Sequence, residues 1–229
     1  MEVPKIKVST IAKIVQFRDI ETISRDGNMV FVNTSYQPGN DSFLAEEYAV
    51  SEKPYDVAII LDNSIDPFFL SMIMNGFIYR STVREDGVHD KPKRITLKSI
   101  KDYYIPMVDF AQQSKLGNVE KIIEFLTCKS DYYPPTNLID YLKDLRDSIC
   151  LELYMSSFFN KLGVSVIEEV NRVTGEEMDF FDNDVILTLI NNLAGPESDV
   201  RVKVREMNVV MSHFFKNLEE LLKKNDLEN

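Results

Sequence analysis

Seven basic residues occur within a short stretch of sequence near the middle of the chain, and their side chains could bind phosphate. Only three acidic residues share the segment with Arg80, Arg84, Lys91, Lys93, Arg94, Lys98 and Lys101. Lysine and arginine neutralise the phosphates of duplex DNA, and the counterions they displace make such binding strongly salt-dependent. The segment predicts a phosphate-contacting surface, unless its charges only keep a turn in water. The expected DNA-facing side chains here are Arg80, Arg84, Lys91, Lys93, Arg94 and Lys98.

A second stretch carries side chains that could recognise bases. Residues 33–40, with the sequence NTSYQPGN, form a polar loop that contains a Pro-Gly turn signal. Asparagine and glutamine can pair with adenine in the major groove. Asn33, Gln37 and Asn40 are therefore a second candidate set for DNA contact, although most loops of this composition only reverse the chain.

The charge of the chain is unevenly distributed. The formal net charge is −11, yet residues 1–129 carry only −2 and residues 130–229 carry −9. Acidic residues that faced phosphate would weaken binding. We expect the C-terminal half to face away from DNA and to contact another protein.

No motif in the sequence indicates catalysis. The chain has no P-loop, HExxH or GxSxG pattern, and the single Pro-Pro step, Pro134-Pro135, lacks the flanking residues of a DNA methyltransferase site. His89 and His213 are too far apart in sequence to indicate a metal site, and Cys128 and Cys150 fit ordinary reduced thiols. We expect no catalytic residue, no metal and no cofactor.

Strands and helices alternate in the first half. Residues 5–9 and 29–32 have strand patterns, residues 10–17 could form a short helix, and the run VAIIL within residues 55–61 is typical of a central strand buried on both faces. Asp66 and Pro67 are a strong helix start, for a helix expected to reach about Phe77. Ile65 and Leu70 are placed to form a hydrophobic staple across that start.

The basic segment leads into a second helix start. After the first helix we expect turns around Asp86-Gly87 and Pro92, with a short strand at residues 93–96. Residues 97–101 fit one helical turn and residues 103–106 a short strand. Asp109 then caps the next helix, with Gln112 in the capping-box position.

The second half has helical periodicity. Expected helices cover residues 138–149, 164–173 and 184–193, with an interruption at Gly163. A long last helix begins near Ser198 or Asp199 and carries apolar residues at alternating spacings of three and four. That seam fits either an intramolecular bundle or a surface for a partner helix.

Residues 1–127 resemble the target-recognition domain of type I restriction-modification specificity subunits. The resemblance is carried by the helix IDPFFLSMIMN, the segment ITLKSIKDYYIPM with Pro106, and the helix start DFAQQ with Asp109, Gln112 and Gln113. Residues 145–170 are similar to the helical tail of type IIG methyltransferase-nucleases. Unlike a full specificity subunit, the chain has one such region, and its acidic C-terminal half is larger than a spacer helix.

The resemblance implies an α+β fold, with a small mixed recognition domain at residues 1–127 and an all-helical region at 128–229 for dimerisation or partner docking. It implies a sequence-specific DNA-binding module that directs a methyltransferase subunit to its target. A cytoplasmic location is expected because the N-terminal stretch MEVPKIKVST lacks the apolar core of a secretory signal. The chain could be a half-subunit that pairs as a homodimer, a lone module, or a piece once fused to a methyltransferase. The alternative is a non-enzymatic protein-interaction module with an acidic helical bundle that does not bind nucleic acid. No membrane contact is expected from either interpretation.

Overall fold

A computed structural model describes residues 2–16, 28–35, 41–45, 55–85, 95–128 and 136–174, together with Arg205 and Val209. The strands in these residues are β1 (Lys5–Lys7), β2 (Ala12–Gln16), β3 (Met29–Val32), β4 (Phe43–Leu44), β5 (Val57–Leu61) and β6 (Tyr104–Pro106). The helices are α1 (Val8–Ile11), α2 (Pro67–Asn75), α3 (Phe77–Glu85), α4 (Leu97–Asp102), α5 (Phe110–Cys128), α6 (Thr136–Tyr154), α7 (Ser156–Leu162) and α8 (Val166–Thr174). The protein has the predicted α+β fold, with helices and antiparallel sheets.

The described strands form two antiparallel sheets. Strands β1 and β6 make a two-stranded ribbon, and the other four form a sheet in the order β2-β5-β3-β4. Ile59 of β5 lies opposite both Ile14 and Val30, so the prediction of a central strand is confirmed. Because side chains alternate along a strand, Ile59 joins the main core, whereas Ala58 joins a smaller cluster on the opposite face.

The N-terminal segment differs from its prediction. The expected strand at residues 5–9 ends at Lys7, and α1 occupies the next four residues. The helix considered for residues 10–17 is wrong, because Ala12–Gln16 is strand β2, paired along its whole length with β5. Pairing with β5, a strand distant in sequence, determines the conformation of this segment. The mixed local periodicity of the sequence does not show that pairing.

Helix α2 begins as predicted. Asp66 is its N-cap, and Oδ1 of Asp66 accepts a hydrogen bond of 2.9 Å from the backbone N–H of Phe69. Pro67 is the first helical residue, where no N–H is needed. Ile65 and Leu70 are both fully buried, as a staple requires. The helix ends at Asn75, slightly before the expected end.

The beginning of the basic segment is helical, which the sequence does not predict. Helix α3 continues to Glu85 because its buried side chains contact the core: the ring of Tyr79 lies 5.4 Å from that of Phe43 and 4.6 Å from that of Tyr103. The strand expected at residues 93–96 is wrong in its described part. Ile95 and Thr96 lie outside any strand, and Thr96 instead caps α4.

The later elements agree closely with the sequence pattern. Asp109 caps α5 by accepting a hydrogen bond of 2.9 Å from the N–H of Gln112. Helices α6 and α8 cover the first two helical patterns of the second half. Gly163 ends α7 with a φ of 65°, a left-handed conformation that favours glycine. The helix expected at residues 184–193, and the last helix apart from the helical Arg205 and Val209, lie outside the described residues.

One hydrophobic core extends across residue 127, where the sequence suggests a domain boundary. It includes Phe69 of α2, Ile122 of α5, Leu145 of α6 and Val170 of α8, all essentially inaccessible to solvent. Helix α5 packs against α2 on one side and against α6 and α8 on the other. In the part of the chain that the structure describes, no helix is long and apolar enough to cross a membrane.

Candidate nucleic-acid interface

The two predicted DNA-facing segments meet in the structure. The backbone N–H of Ile95, just before α4, donates a hydrogen bond of 3.0 Å to the backbone carbonyl of Thr34, in the loop after β3. The Thr34 hydroxyl in turn donates to the carboxylate of Asp56, just before the central strand β5. The start of the polar loop and the end of the basic segment are therefore held side by side.

Three predicted site residues have described side chains. Lys98 is exposed on α4. Asn33 is half-buried, and its side-chain oxygen accepts a hydrogen bond of 2.9 Å from the N–H of Ser35, which folds the beginning of the loop. Arg80 is half-buried on α3 and forms an ion pair of 3.0 Å with Asp147. Phosphate would have to compete with that carboxylate for Arg80.

The other predicted site residues are less fully placed. Arg84 belongs to α3, but its side chain is outside the described residues. The remaining five, two in the polar loop and three in the basic segment, also lie outside them: Gln37, Asn40, Lys91, Lys93 and Arg94. Their DNA contacts stay predictions, although the hydrogen bond between Ile95 and Thr34 fixes one end of each segment.

The buried side chain of Gln113 connects the chain segments at which α2 and α5 begin. The side-chain oxygen of Gln113 accepts a hydrogen bond of 3.0 Å from the N–H of Asp66, and its amide nitrogen donates to the carbonyls of Ser64, at 3.2 Å, and Val108, at 2.9 Å. One side chain thus joins the starts of α2 and α5. Gly117, one turn further along α5, allows the two helices to approach each other: a Cβ there would lie 2.8 Å from the backbone nitrogen of Phe69.

A basic face on the ribbon escaped sequence reasoning. Lys5 and Lys7 alternate with the half-buried Ile6 on β1, and β6 places the exposed Tyr104 opposite Lys7. The ammonium group of Lys7 lies 5.6 Å from the centre of the Tyr104 ring and 3.2 Å from the carboxylate of Asp102. The alternation of lysine and isoleucine was visible in the sequence, but pairing with a strand about a hundred residues later was not.

A buried ionic network lies between α5 and α6. Arg146 is fully buried and pairs with Glu120 at 3.2 Å and with Asp41 at 3.0 Å. Burial acts to raise the pKa of Asp41, but the Arg146 guanidinium, assisted by Lys143, holds that pKa below its ordinary value. Burial and the nearby Asp41 charge raise the pKa of Glu120.

The same network holds the edge strand β4. The side-chain oxygen of Asn75 accepts hydrogen bonds of 3.1 Å from the N–H groups of Ser42 and Phe43, while its nitrogen donates to Glu120 at 2.7 Å. Asp41 and Glu120 are therefore bound to other groups of the protein within the fold. Among the described residues, no group of three or more His, Cys, Asp or Glu could hold a metal ion.

Comparison with known proteins returns no relative. No protein-family model matches the chain, and neither a curated protein nor a solved structure does. Functional inference therefore rests on the residues and contacts described above.

Proposed function

We propose that this chain is a sequence-specific duplex DNA-binding module that directs the methyltransferase of a restriction-modification system to its target in the cytoplasm. The hydrogen bond between Ile95 and Thr34 carries the proposal, because it joins the loop that could read bases to the segment that could bind phosphate. A single DNA surface needs both kinds of contact, since phosphate contacts position a protein and base contacts give specificity.

Within that surface the two segments have different roles. The side chains of Arg84, Lys91, Lys93 and Arg94 neutralise phosphates and give affinity that falls steeply with salt. Asn33, Gln37 and Asn40 pair with base edges in the major groove. Lys98 extends the phosphate contacts along α4, whereas Arg80 holds α3 to α6 through Asp147.

The arrangement around Gln113 supports the resemblance to type I specificity subunits. In the order that the resemblance implies, helix α2 starts at Asp66-Pro67, strand β6 ends at Pro106, and helix α5 carries the glutamine pair. Gln113 joins the starts of α2 and α5 by direct hydrogen bonds to Ser64, Asp66 and Val108, the last of which lies two residues after β6. A recognition surface requires such rigid support, because base readout depends on precise placement.

The acidic half supplies the partner-binding part of the proposal. Residues 130–229 carry a net charge of −9, which favours contact with a methyltransferase subunit or a second copy of the chain over contact with DNA. Because α6 and α8 share the core of the recognition half, a partner docked on them is held at a fixed position relative to the DNA surface.

Binding of the full chain to duplex DNA tests the proposal. Fluorescence anisotropy with a labelled random-sequence duplex at low ionic strength, with and without any methyltransferase subunit that co-purifies with the chain from its native cell, is expected to show saturable, salt-sensitive binding. Replacing Arg84, Lys93 and Arg94 by glutamine weakens it. Replacing Lys216, Lys223 and Lys224 by glutamine removes the same charge from the acidic half and is the matched control.

Two results would reject the proposal. If the chain shows no association with duplex DNA at low salt even with its companion subunit present, the protein-interaction alternative is favoured instead. If both triple variants lose affinity equally, the binding reflects net charge alone and the assigned segment is wrong.

A further inference from the structure

The outer face of the β1–β6 ribbon carries positive charge and an exposed aromatic ring. Lys5 and Lys7 project from the same face of β1, since residues two apart in a strand share a face. Tyr104, opposite Lys7, is 50% exposed. Its partner residue in the ladder, Lys7, keeps its ammonium group 5.6 Å from the centre of the ring. Lysine and tyrosine side chains both form contacts to the phosphates and sugars of nucleic acid.

Helix α4 adds two more lysines beside the ribbon. Lys98 and Lys101 are three residues apart, so they lie on one face of the helix, and both are exposed. Ile100, between them in sequence, is completely buried and fixes the orientation of the helix. Among the described residues neither lysine forms an ion pair. Helix α4 leads directly into β6, with only Tyr103 between them.

We call Lys5, Lys7, Lys98, Lys101 and Tyr104 the ribbon surface. Among the described residues, Asp102 forms an ion pair with this surface. Asp102 is 51% exposed and forms an ion pair with Lys7. Two other acidic residues, Glu2 and Asp109, lie beyond the ends of the ribbon in sequence. The three elements that carry the surface, β1, α4 and β6, contain four lysines and one acidic residue, so they are net positive in a chain whose total charge is −11.

Helix α4, which carries two of these lysines, directly follows the hydrogen bond that joins the two candidate segments. Thr96 caps α4, and the preceding residue, Ile95, makes the hydrogen bond to Thr34. We infer that the ribbon surface is a second DNA-contacting surface, which binds the phosphate backbone beside the segment that reads bases. This inference rests on the proposed function, and it assigns Lys5, Lys7, Lys101 and Tyr104 a role in it.

The chemistry of the surface defines what it contributes. Lysine ammonium groups contact phosphate oxygens without distinguishing bases, so the ribbon surface fixes the position of the protein on the duplex and adds affinity for every sequence. The Tyr104 ring packs against the sugar edge of the backbone. Specificity then comes from the loop after β3, and the two contributions are separable by experiment.

The test compares charge-removing variants of the full chain on labelled random-sequence duplex DNA. For Lys5→Gln with Lys101→Gln, which removes two exposed charges that only the ribbon surface adds, the slope of log K against log salt is expected to fall by about 1.8, because each phosphate contact contributes about 0.9. Between about 50 and 200 mM salt, the wild-type affinity then decreases about tenfold more than that of the variant. Lys161→Gln with Arg172→Gln removes two exposed charges from α7 and α8 and is expected to leave the slope unchanged.

A second variant tests the surface by gain of binding. Asp102 is the last residue of α4, where a carboxylate is unfavourable to the helix dipole, so Asp102→Asn leaves the fold intact. Removing the negative charge of Asp102 is expected to tighten DNA binding and steepen the salt dependence. Because the expected change is tighter binding, a loss of folding could not produce it.

The outcomes distinguish the inference from the proposed function. If the wild-type chain binds DNA while the Lys5 and Lys101 variant keeps the wild-type slope and Asp102→Asn has no effect, the ribbon surface is wrong and the proposed function stands. If the wild-type chain does not bind DNA, both fail. A reduced slope in the ribbon variant, with an unchanged slope in the α7–α8 control, supports both.

Discussion

Glu120 and Arg146 form an ion pair of 3.2 Å in which neither side chain has any exposed surface. Glu120 lies on α5 and Arg146 on α6, so the pair joins elements on the two sides of the boundary suggested by the sequence. Asp41 approaches the guanidinium from the segment before β4. A buried charge needs such partners, because an unpaired one is strongly destabilising. The two halves of the chain are thus tied by charge as well as by the apolar core.

Replacing Arg146 by methionine is expected to destabilise the fold by about 3–5 kcal/mol, because two buried carboxylates lose their partner. Urea unfolding followed by circular dichroism measures the change. The matched control is Arg172→Met, since Arg172 pairs with Glu169 on the surface of α8 and its side chain is 61% exposed. An exposed pair contributes about 0–1 kcal/mol. Equal effects of the two substitutions would contradict the assigned burial.

Asp41 makes stability depend on acid pH. Its folded-state pKa lies below the ordinary value of 3.8, because Arg146 and Lys143 outweigh the effect of burial. The unfolded state therefore binds the proton more readily, and the stabilisation from Asp41 is present above pH 3.8 and is lost as pH falls through its folded pKa. Urea unfolding of wild type and Asp41→Asn at a series of pH values should show their difference shrinking below pH 3.8. A constant difference would argue against this ion pair.

Gln113 is expected to be far more important for stability than its neighbour Gln112. Gln113→Ala removes three hydrogen bonds and leaves buried backbone groups without their partners, at a cost of about 1–3 kcal/mol. Gln112→Ala, at a half-buried position in the same helical turn, should change stability by no more than about 0.5 kcal/mol. Thermal unfolding of the two variants tests the contrast. Similar unfolding temperatures for the two variants would mean that the hydrogen bonds of Gln113 do not hold the starts of α2 and α5 together.

Gly117→Ala should destabilise the protein although alanine favours helices. The added Cβ would lie 2.8 Å from the Phe69 backbone nitrogen and from the Asp66 carboxylate, so α2 and α5 would have to separate. Overpacking of this kind costs about 1–3 kcal/mol, which exceeds the helix-propensity gain of about 1 kcal/mol. Asn118→Ala, in the same helix, is the control and should be near neutral. A more stable Gly117→Ala variant would show that the helices are not in close contact.

Local signals allowed much of the fold to be predicted. The caps at Asp66 and Asp109, the turn at Gly163 and the apolar run of β5 each depend on neighbouring residues, and the structure confirms all four. The sequence offers the polar loop and the basic segment as two candidate sets for DNA contact. The hydrogen bond between Ile95 and Thr34 places the start of one beside the end of the other, and their contact with DNA stays a prediction.

Features that depend on distant partners could not be predicted. The local pattern of residues 10–17 allows a helix, whereas the hydrogen bonds to β5 make Ala12–Gln16 a strand. The α3 helix depends on the burial of Tyr79, and the ribbon lysines share a surface with α4 only because β1 pairs with β6. Arginine is usually exposed, so the sequence gives no reason to place Arg146 in the core. It is buried because its carboxylate partners, Asp41 and Glu120, come from two other segments.

The cap of α4 links stability to DNA binding. The hydroxyl of Thr96 accepts a hydrogen bond of 3.0 Å from the N–H of Ser99, and the Ser99 hydroxyl accepts one of 3.0 Å from the N–H of Thr96. Thr96→Ala removes the side-chain cap at a cost of about 0.5–2 kcal/mol, whereas Thr96→Ser retains it. Because this short helix presents Lys98 and Lys101, its fraying should also weaken DNA binding.

The expected pattern is a lower urea midpoint and a lower affinity for duplex DNA in Thr96→Ala, with Thr96→Ser close to wild type in both. Affinity should be measured at a temperature where the alanine variant is still fully folded, so that the loss reflects α4 alone. A Thr96→Ala chain that is destabilised yet binds DNA as tightly as wild type would separate the cap from the interface. The lysines of α4 would then have no part in binding, because an ordered helix is needed to hold both on one face.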